Sequence, residues 1–599
     1  MPLLISLSLL LAPSSAPLEE PAHASLRLEA GDRICLLGGA LAERMQHHGW
    51  LETELHTRLP ELRLTVRNLG FGADELTVHQ RSMNFGKMPE DGMASNLANG
   101  RFVPWDRYLA RCDADVVWAF FGYNESFAGL EGLEKFERDL ESFIDHVKVQ
   151  EYSGDRPTRL VLFSSTPFEE SGDPNLPDAE IQNTRIRSYN QVIAKVAAEK
   201  GVGFVDVFDP MLSRFALDER LRTINGIHLN DLGNSDLADV IVKAVAPERQ
   251  SSLPPGGLRE AVLHKNLLWH NRYRATDGYN VHGGRSRQVY ASSRTGERFA
   301  NFDVLQREME YLEELATRWD ARIHGLAHGE DLPVDTENLP PLIEVETNKL
   351  GPGPDGSHLY TSGREAIAQM TVAPGTRVEL FADEVQFPEL VNPVQMAWDP
   401  AGRLWVAAWP TYPHWRPDQP LDDKLLVLED LDGDGRADEC TVFADDLHNP
   451  TGIEFWNGGV FVACAPDLLF LKDTDGDGRA DHRERVLHGL SSADTHHAAN
   501  SFVLGPDGAL YFQEGTFHMT QIESPYGPVR NTNGCVWRYE PRTHRVERYI
   551  PYNYANPHGH VFDEFGQDFM TDGTGNVNYY CLPFSGHLPE PQKLSLIHI

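Results

Sequence analysis

The chain has 599 residues and a formal net charge of −36 at pH 7, from 53 basic and 89 acidic side chains. This length exceeds what one hydrophobic core usually serves, so at least two domains are expected. The composition, with 41% hydrophobic and 24% charged residues, is that of a globular protein. The negative charge repels phosphate backbones and anionic lipids, which argues against nucleic acid and favours a small-molecule or glycan partner and cations.

Residues 1–24 are predicted to be a signal peptide. The apolar run "LLISLSLLLA" is too short to span a bilayer, and small residues after it permit cleavage behind Ala16 or Ala24. A buried first strand is the alternative, because no basic residue precedes the run. We therefore expect export to the periplasm or the medium. The six cysteines are too scattered to form a disulfide framework.

Residues 25–250 alternate between strand-like and helical patterns. Apolar runs bounded by turns separate amphipathic stretches, which predicts a three-layer α/β domain with a parallel sheet. Residues 251–330 are helical and aromatic-rich, and we expect them to extend the first domain; residues 331–374 are predicted to be a linker. The five predicted strands are "RICLLG", "RLTVRNLG", "ADVVWAFFG", "RLVLFSSTP" and "GVGFVDVF".

Residues 375–592 change to short β runs, each following a glycine turn. Examples are "DPAGRLWVAAW" and "GPDGALYFQEG", and their spacing suits the four-stranded blades of an all-β propeller. A stacked sandwich is the alternative. Only about four repeats are present, so we expect an incomplete propeller, followed by a non-native-looking tail at 593–599.

Four short blocks in the first domain carry chemistry. They are "GGA" with Ala40 after the first strand, "NLGFG" with Gly70, "GYNE" with Asn124, and "NGIH" with Asn225 and His228. In this order they resemble the blocks of the SGNH, or GDSL-type, esterase family, which has a flavodoxin-like α/β fold. The resemblance implies that Gly70 and Asn124 donate hydrogen bonds to an oxyanion and that His228 is the base.

Two positions depart from that family's pattern. Ala40 stands where the family has its nucleophilic serine, and Asn225 where it has the aspartate that orients the histidine. Without the serine no acyl-enzyme can form, which predicts a degenerate pocket that binds hydroxyl-rich ligands. Two alternatives remain open: His228 activates water directly in a carbohydrate deacylase, or it is a buried histidine with no catalytic role.

Two near-identical nonapeptides, "DLDGDGRAD" and "DTDGDGRAD", begin 43 residues apart. Aspartates at alternate positions with a glycine turn match the oxygen-rich start of a Ca²⁺ loop. The alternative is a solvated acidic hairpin turn. The predicted ligands are Asp430, Asp432, Asp434 and Asp438 in the first copy and Asp473, Asp475, Asp477 and Asp481 in the second.

The third cluster, in "DTHHAAN" and "NPHGHVFDEFG", is rich in histidine. These segments resemble the propeller of bacterial membrane-bound dehydrogenase-like proteins, a family that often carries a C-terminal haem-binding cytochrome c module. The resemblance implies a histidine base acting on a sugar hydroxyl, with a quinone or haem as electron acceptor, or a cytochrome partner beyond this sequence. The candidates are His496, His497, His558 and His560; the alternative is that they bond between blades.

Together these observations predict an exported carbohydrate-processing protein. Its SGNH-like domain is expected to bind or present substrate without catalysis, and its propeller to be the oxidising module. An ester hydrolase acting through His228 and a non-enzymatic glycan-binding scaffold are the competing hypotheses.

Overall fold

The computed structural model describes residues 26–580 apart from 83–84, 86–102, 155, 250–252, 293–294, 345–352, 355–356, 358–359, 413 and 576. The predicted signal peptide and the predicted C-terminal tail lie outside these residues. Among the helices in the described part of the chain, none combines the length and apolar character needed to cross a bilayer.

A five-stranded parallel sheet forms the centre of the N-terminal domain. All five predicted strands are present, and their spatial order is β2-β1-β3-β4-β5, the flavodoxin-like order. Their side chains are almost all buried, since helices cover both faces of the sheet. The strands are β1 Arg33–Gly38, β2 Thr65–Asn68, β3 Val116–Phe120, β4 Arg159–Phe163 and β5 Gly203–Val205.

Helices on the two faces of this sheet form two separate apolar cores. The longest helix on these two faces, Ala179–Lys200, has a side-chain N-cap, because Asp178 accepts from the Ile181 N–H. Gly201 ends this helix in the left-handed conformation. The helices are α1 Ala40–His48, α2 Trp50–Arg58, α3 Val103–Arg111, α4 Leu133–Lys148, α5 Ala179–Lys200, α6 Phe208–Phe215 and α7 Asp231–Val245.

The predicted helical extension packs directly on this domain. Trp269 is buried in one of the two sheet cores, and its indole N–H donates to the Asn68 carbonyl at 2.8 Å. Arg67 of β2 and Asp320 form a buried ion pair at 2.5 Å. The extension comprises α8 Leu258–Arg274, α9 Gly278–His282, the hairpin β6 Val289–Ala291 and β7 Arg298–Ala300, and α10 Asn301–Ala327. Within the predicted linker, α11 spans Gly363–Ala368.

The C-terminal region consists of antiparallel sheets arranged like propeller blades. The first strands of neighbouring sheets, β8, β12, β16 and β22, contact one another around a centre, and apolar cores lie between the sheets. Each predicted glycine turn joins the first and second strands of one sheet, with Gly402, Gly458, Gly508 and Gly566 at positive φ. The four sheets are β8 Pro393–Trp398, β9 Leu404–Ala408, β10 Asp423–Glu429 and β11 Glu439–Leu447; β12 Pro450–Trp456, β13 Gly459–Cys464, β14 Asp467–Lys472 and β15 His482–His488; β16 Asn500–Leu504, β17 Leu510–Glu514, β20 Cys535–Glu540 and β21 Arg545–Ile550; and β22 Pro557–Phe562, β23 Asp568–Asp572 and β24 Val577–Tyr580.

The third of these sheets carries an inserted hairpin that sequence reasoning missed. Between β17 and β20 the chain forms β18 (Met519–Ser524) and β19 (Gly527–Thr532), which pair only with each other. This hairpin leaves its sheet and packs against the N-terminal domain, where it reaches the pocket described below.

Candidate functional site

The four motif blocks meet in one pocket at the carboxyl edge of the parallel sheet. Ala40 begins α1 directly after β1, and Asn124 follows β3, the neighbouring strand. Ligand sites of open α/β sheets lie at this edge, where the strand order reverses. Gly38 has φ 145°, and a Cβ there would lie 2.3 Å from the Phe120 carbonyl oxygen, so only glycine allows β1 and β3 to approach so closely.

Asn225 and His228 enter the pocket from the loop before α7. The backbone N–H of His228 donates to Asn225 Oδ1 at 3.0 Å, which fixes the orientation of the amide. Asn225 Nδ2 therefore faces His228 Nδ1 at 3.0 Å and donates to it. In the neutral ring, a nitrogen that accepts leaves the proton on the other, so His228 carries its proton on Nε2.

This tautomer is the reverse of the one that a catalytic triad requires. In a triad the carboxylate accepts from Nδ1–H and leaves Nε2 free to remove a proton. Burial, helped by the charge of Arg44, lowers the pKa of His228 to about 4, so the ring is neutral at pH 7. His228 is consequently a donor through Nε2–H and has no lone pair directed into the pocket to serve as a base.

A carboxylate from the inserted hairpin occupies the centre of the pocket. Glu523 Oε2 accepts from the Ala40 backbone N–H at 3.0 Å and from Asn124 Nδ2 at 2.7 Å. Its other oxygen lies 3.6 Å from His228 Nε2. Because these are the donors that stabilise an oxyanion in serine-dependent acyl transfer, Glu523 sits where a reaction intermediate would carry its negative charge.

The surroundings keep this carboxylate ionised. Burial alone would raise the pKa of Glu523, but the contact with His228 and the hydrogen bonds from Ala40 and Asn124 outweigh it and lower the pKa below its ordinary value. The space left in the pocket is about 30 Å³, enough for a water molecule and far below the volume of an ester substrate.

Gly70 does not join these donors. Its backbone N–H donates to Asn68 Oδ1 at 2.8 Å, and both residues are buried beside α1. Of the predicted oxyanion donors, Asn124 therefore contacts Glu523, together with the Ala40 N–H, whereas the Gly70 N–H is held by its own neighbour.

Further contacts fix the hairpin in this position. Tyr123 Oη donates to the Ser524 carbonyl at 2.9 Å, and Gln521 Nε2 donates to Asp74 Oδ1 at 2.7 Å. At the rim, Arg530 pairs with Glu75 at 2.8 Å. The β18–β19 hairpin is thus held by hydrogen bonds on both sides of Glu523 and by one ion pair at the rim.

The predicted propeller histidines divide into two groups. His496, His558 and His560 line a cavity of about 550 Å³ at the centre of the blades. Trp409 and Tyr412 line the same cavity. His497 is buried instead, with Nε2 against Asn556 Oδ1 and Nδ1 3.0 Å from Asp494. It thus connects the segments before β16 and β22, as expected if these histidines bond between blades.

The two aspartate loops fold alike. In the first, Asp430 accepts from the Gly433, Asp434 and Gly435 N–H groups. Carboxylate oxygens of Asp430, Asp432 and Asp438 approach one another closely enough to share an ion, as do those of Asp473, Asp475 and Asp477. Asp434 and Asp481 fall outside these groups; Asp481 accepts from the Thr474 N–H at 2.7 Å and shapes its loop.

Two family models match separate parts of the chain. Residues 39–235 match the "GDSL-like Lipase/Acylhydrolase family", and residues 362–595 match "Domain of unknown function (DUF7133)". Among curated proteins, no match is found. The N-terminal part of the chain is therefore a GDSL-like domain, joined to a C-terminal region of propeller-like blades.

Similar solved structures each cover somewhat more than a third of this chain. A gut microbial diltiazem-metabolizing enzyme shares 19% identity over 36% of this chain and 47% of its own, with a TM-score of 0.28. A putative GDSL-like lipase from Parabacteroides merdae shares 15% over 37% of this chain and 98% of its own, with a TM-score of 0.27. An acetylxylan esterase from Geobacillus stearothermophilus shares 14% over 37% and 96%, with a TM-score of 0.28.

We expect His228→Gln to flatten the acid dependence of stability. The pKa of His228 is about 4 in the folded protein and about 6.5 when unfolded, so only the unfolded chain binds this proton between those values, and stability falls as the pH drops from 6.5 towards 4. Glutamine does not titrate. Thermal unfolding measures the fall in Tm between pH 7 and pH 4.5. We expect this fall to be smaller by about 3–6 °C in the variant than in the wild type.

The exposed His482 provides the control. His482→Gln should keep the pH dependence of the wild type. If Tm changes equally with pH in the two variants, His228 is not a buried neutral ring in the folded protein.

Proposed function

We propose that this protein processes carbohydrate at the central cavity of its propeller-like region, and that its GDSL-like domain hydrolyses no ester. In this proposal the former active-site pocket is a docking site that holds the propeller-like region through Glu523. The observation that carries this docking role is the Glu523 carboxylate bound by the Ala40 N–H and by Asn124.

Three features argue against ester hydrolysis. Ala40 offers no nucleophile, His228 has its proton on the nitrogen that a base must leave free, and the oxyanion donors already bind an anion of the chain itself. The water mechanism through His228 fails on the second feature even where the first is bypassed. Each loss removes orders of magnitude of rate, about 10⁴ for a reversed histidine tautomer and about 10⁶ for a lost nucleophile.

The central cavity offers the groups that a neutral sugar needs. Its volume of about 550 Å³ lies in the range of small-ligand sites. Trp409 and Tyr412 provide aromatic surface, while His496, His558 and Asn500 provide hydrogen-bonding groups. The net charge of −36 disfavours phosphorylated ligands.

Oxidation is the reaction proposed for this cavity. Converting a sugar hydroxyl to a carbonyl removes two protons and two electrons. A histidine such as His558 can take one proton. A quinone would take both electrons and the second proton, or two haems would take one electron each while the second proton passes to water. The dehydrogenase resemblance supports this step. A binding scaffold without turnover is the outcome that would replace it.

Export completes the proposal. The apolar segment and the small residues before Ala16 and Ala24 support secretion or a periplasmic location. Sequencing the N-terminus of the mature protein would reveal cleavage behind one of these alanines, or an intact first residue if the segment is retained.

Restoring hydrolysis should require three changes together. We expect the wild type, Glu523→Ala, and Ala40→Ser with Asn225→Asp all to be inert on 4-nitrophenyl acetate. The combination Ala40→Ser, Asn225→Asp and Glu523→Ala should hydrolyse it, because it has a nucleophile, the correct tautomer and free oxyanion donors. Release of nitrophenolate measures the rate.

Wild-type turnover that disappears in His228→Ala would contradict the proposal. Glu523→Gln serves as a matched control, since glutamine keeps the size of the Glu523 side chain and removes its charge. A triple variant that folds but stays inert would indicate that the pocket lacks further parts of the machinery and would leave docking as its role.

Sugar binding should depend on the central cavity. We expect cellobiose or xylobiose to change the tryptophan fluorescence of the full chain, and His558→Ala or Tyr412→Ala to weaken binding about 10-fold, the effect of losing about 1.4 kcal/mol. His482→Ala, far from the cavity lining, should bind as the wild type does. Reduction of a dye such as dichlorophenolindophenol separates an oxidising enzyme from a scaffold.

Calcium should stabilise the blades through the two aspartate loops, which we propose as Ca²⁺ sites. A cation that binds only the folded protein raises Tm as its concentration exceeds Kd. We expect millimolar Ca²⁺ to raise Tm in the wild type and to have little effect in Asp430→Asn with Asp473→Asn. Asp418→Asn, an exposed carboxylate outside the loops, is the control; a wild type that ignores Ca²⁺ refutes the proposal.

A further inference from the structure

Three histidine rings meet where α1, α8 and β15 come together. His47 lies near the end of α1, His270 lies on α8 of the helical extension, and His488 ends β15 of the second blade. One nitrogen from each ring lies within 4.8 Å of the others. The cluster thus joins both sides of the contact between the N-terminal domain and the propeller-like region, away from the Glu523 pocket.

Two of these rings have an unused nitrogen. The Nε2 atoms of His47 and His270 are buried from solvent and have no hydrogen-bond partner among the described residues. The rings contact each other edge to face, with centroids 5.1 Å apart. A buried polar nitrogen without a partner is unfavourable, and a bound ion or a water molecule would supply the missing contact.

The third ring is oriented in the way that metal-binding histidines are. His488 Nδ1 lies 2.5 Å from Asp467 Oδ1, so the carboxylate holds the proton on that side. His488 Nε2 contacts Glu43 Oε1 at 2.5 Å, so this contact must give way when Nε2 binds an ion. A carboxylate behind a histidine that fixes its tautomer and raises its basicity is the usual outer-shell partner of a metal ligand.

Two buried carboxylates and two arginines surround the three rings. Glu43 and Asp467 are two buried carboxylates at the cluster, and the cations that accompany them are Arg274, bound to Glu43, and Arg485, 2.7 Å from Asp467. Arg274 Nη1 also lies 3.4 Å from His488 Nε2, so a bound ion must share Glu43 with this guanidinium. The second oxygen, Glu43 Oε2, accepts from the Gly72 backbone N–H, so an ion would have to share this carboxylate with both contacts.

We propose that His47, His270 and His488 bind a Zn²⁺ ion, with Glu43 moving from its contacts with His488 and Arg274 to provide a fourth bond. Three imidazoles with one carboxylate are ligands that zinc prefers, and no open position or water-activating group is needed for a structural role. The ion would join α1, the helical extension and the second blade. The site is separate from the reaction proposed for the propeller cavity and does not depend on it.

Metal content of the full chain tests this site. After dialysis against a chelator and reloading with Zn²⁺, we expect the wild type to retain one ion per chain more than His270→Ala or His47→Ala. His482→Ala, a solvent-exposed histidine on the same strand as His488, should retain the wild-type content. Co²⁺ in place of zinc should give visible absorption bands in the wild type that are absent from His270→Ala.

Asp467→Asn gives a second, milder change. It leaves all three rings in place and should weaken zinc binding about 10- to 100-fold, and circular dichroism reports whether each variant folds. Equal zinc content and equal affinity in the wild type and in a folded His270→Ala would overturn the proposal. If the alanine variants do not fold, unchanged zinc affinity in folded Asp467→Asn overturns it in the same way.

Discussion

The position of one buried carboxylate decides how the two halves of the chain are arranged. A charged group can leave water only where fixed donors replace its hydration. Glu523 finds them at the start of α1, 483 residues away in sequence, and at Asn124, 399 residues away. An oxyanion hole is well suited to this, because its N–H groups are held by the sheet before any ligand arrives. Glu523 thus occupies donors that the fold of the N-terminal domain holds in place.

The two departures from the esterase pattern fit this use of the pocket. A carboxylate at position 225 would accept from His228 Nδ1–H and turn Nε2 into an acceptor that faces Glu523, which would repel it. The amide of Asn225 instead leaves Nε2–H directed at the carboxylate. Ala40 keeps the backbone N–H that donates to Glu523. It lacks the serine hydroxyl that would compete with the Glu523 carboxylate for space in the pocket. The same two substitutions thus account for the binding of Glu523 and for the loss of hydrolysis that we propose.

Sequence reasoning reached the sheet and the pocket because both depend on local patterns. Buried parallel strands are continuous apolar runs, and the four blocks each follow a strand or precede a helix, so their order places Ala40, Asn124, Asn225 and His228 together. Glu523 left no such signal. Strand β18 reads as polar and solvent-exposed, whereas Thr520, Gln521 and Glu523 are all buried by a domain far away in sequence.

The same limit applies to the histidines at the second contact, since His47 and His270 read as polar positions of amphipathic helices. Their location bears on whether the β18–β19 hairpin can leave the pocket. Ala40, at the first turn of α1, binds Glu523, and His47, near the last turn, contacts His488. The propeller-like region therefore contacts this helix at both ends. A lid that opens to admit substrate is usually hinged at one side and breaks few contacts. Opening here would expose the Glu523 carboxylate and also separate the buried Glu43–His488–Asp467 chain. Two buried polar contacts at the two ends of one helix favour stable docking over a transient gate.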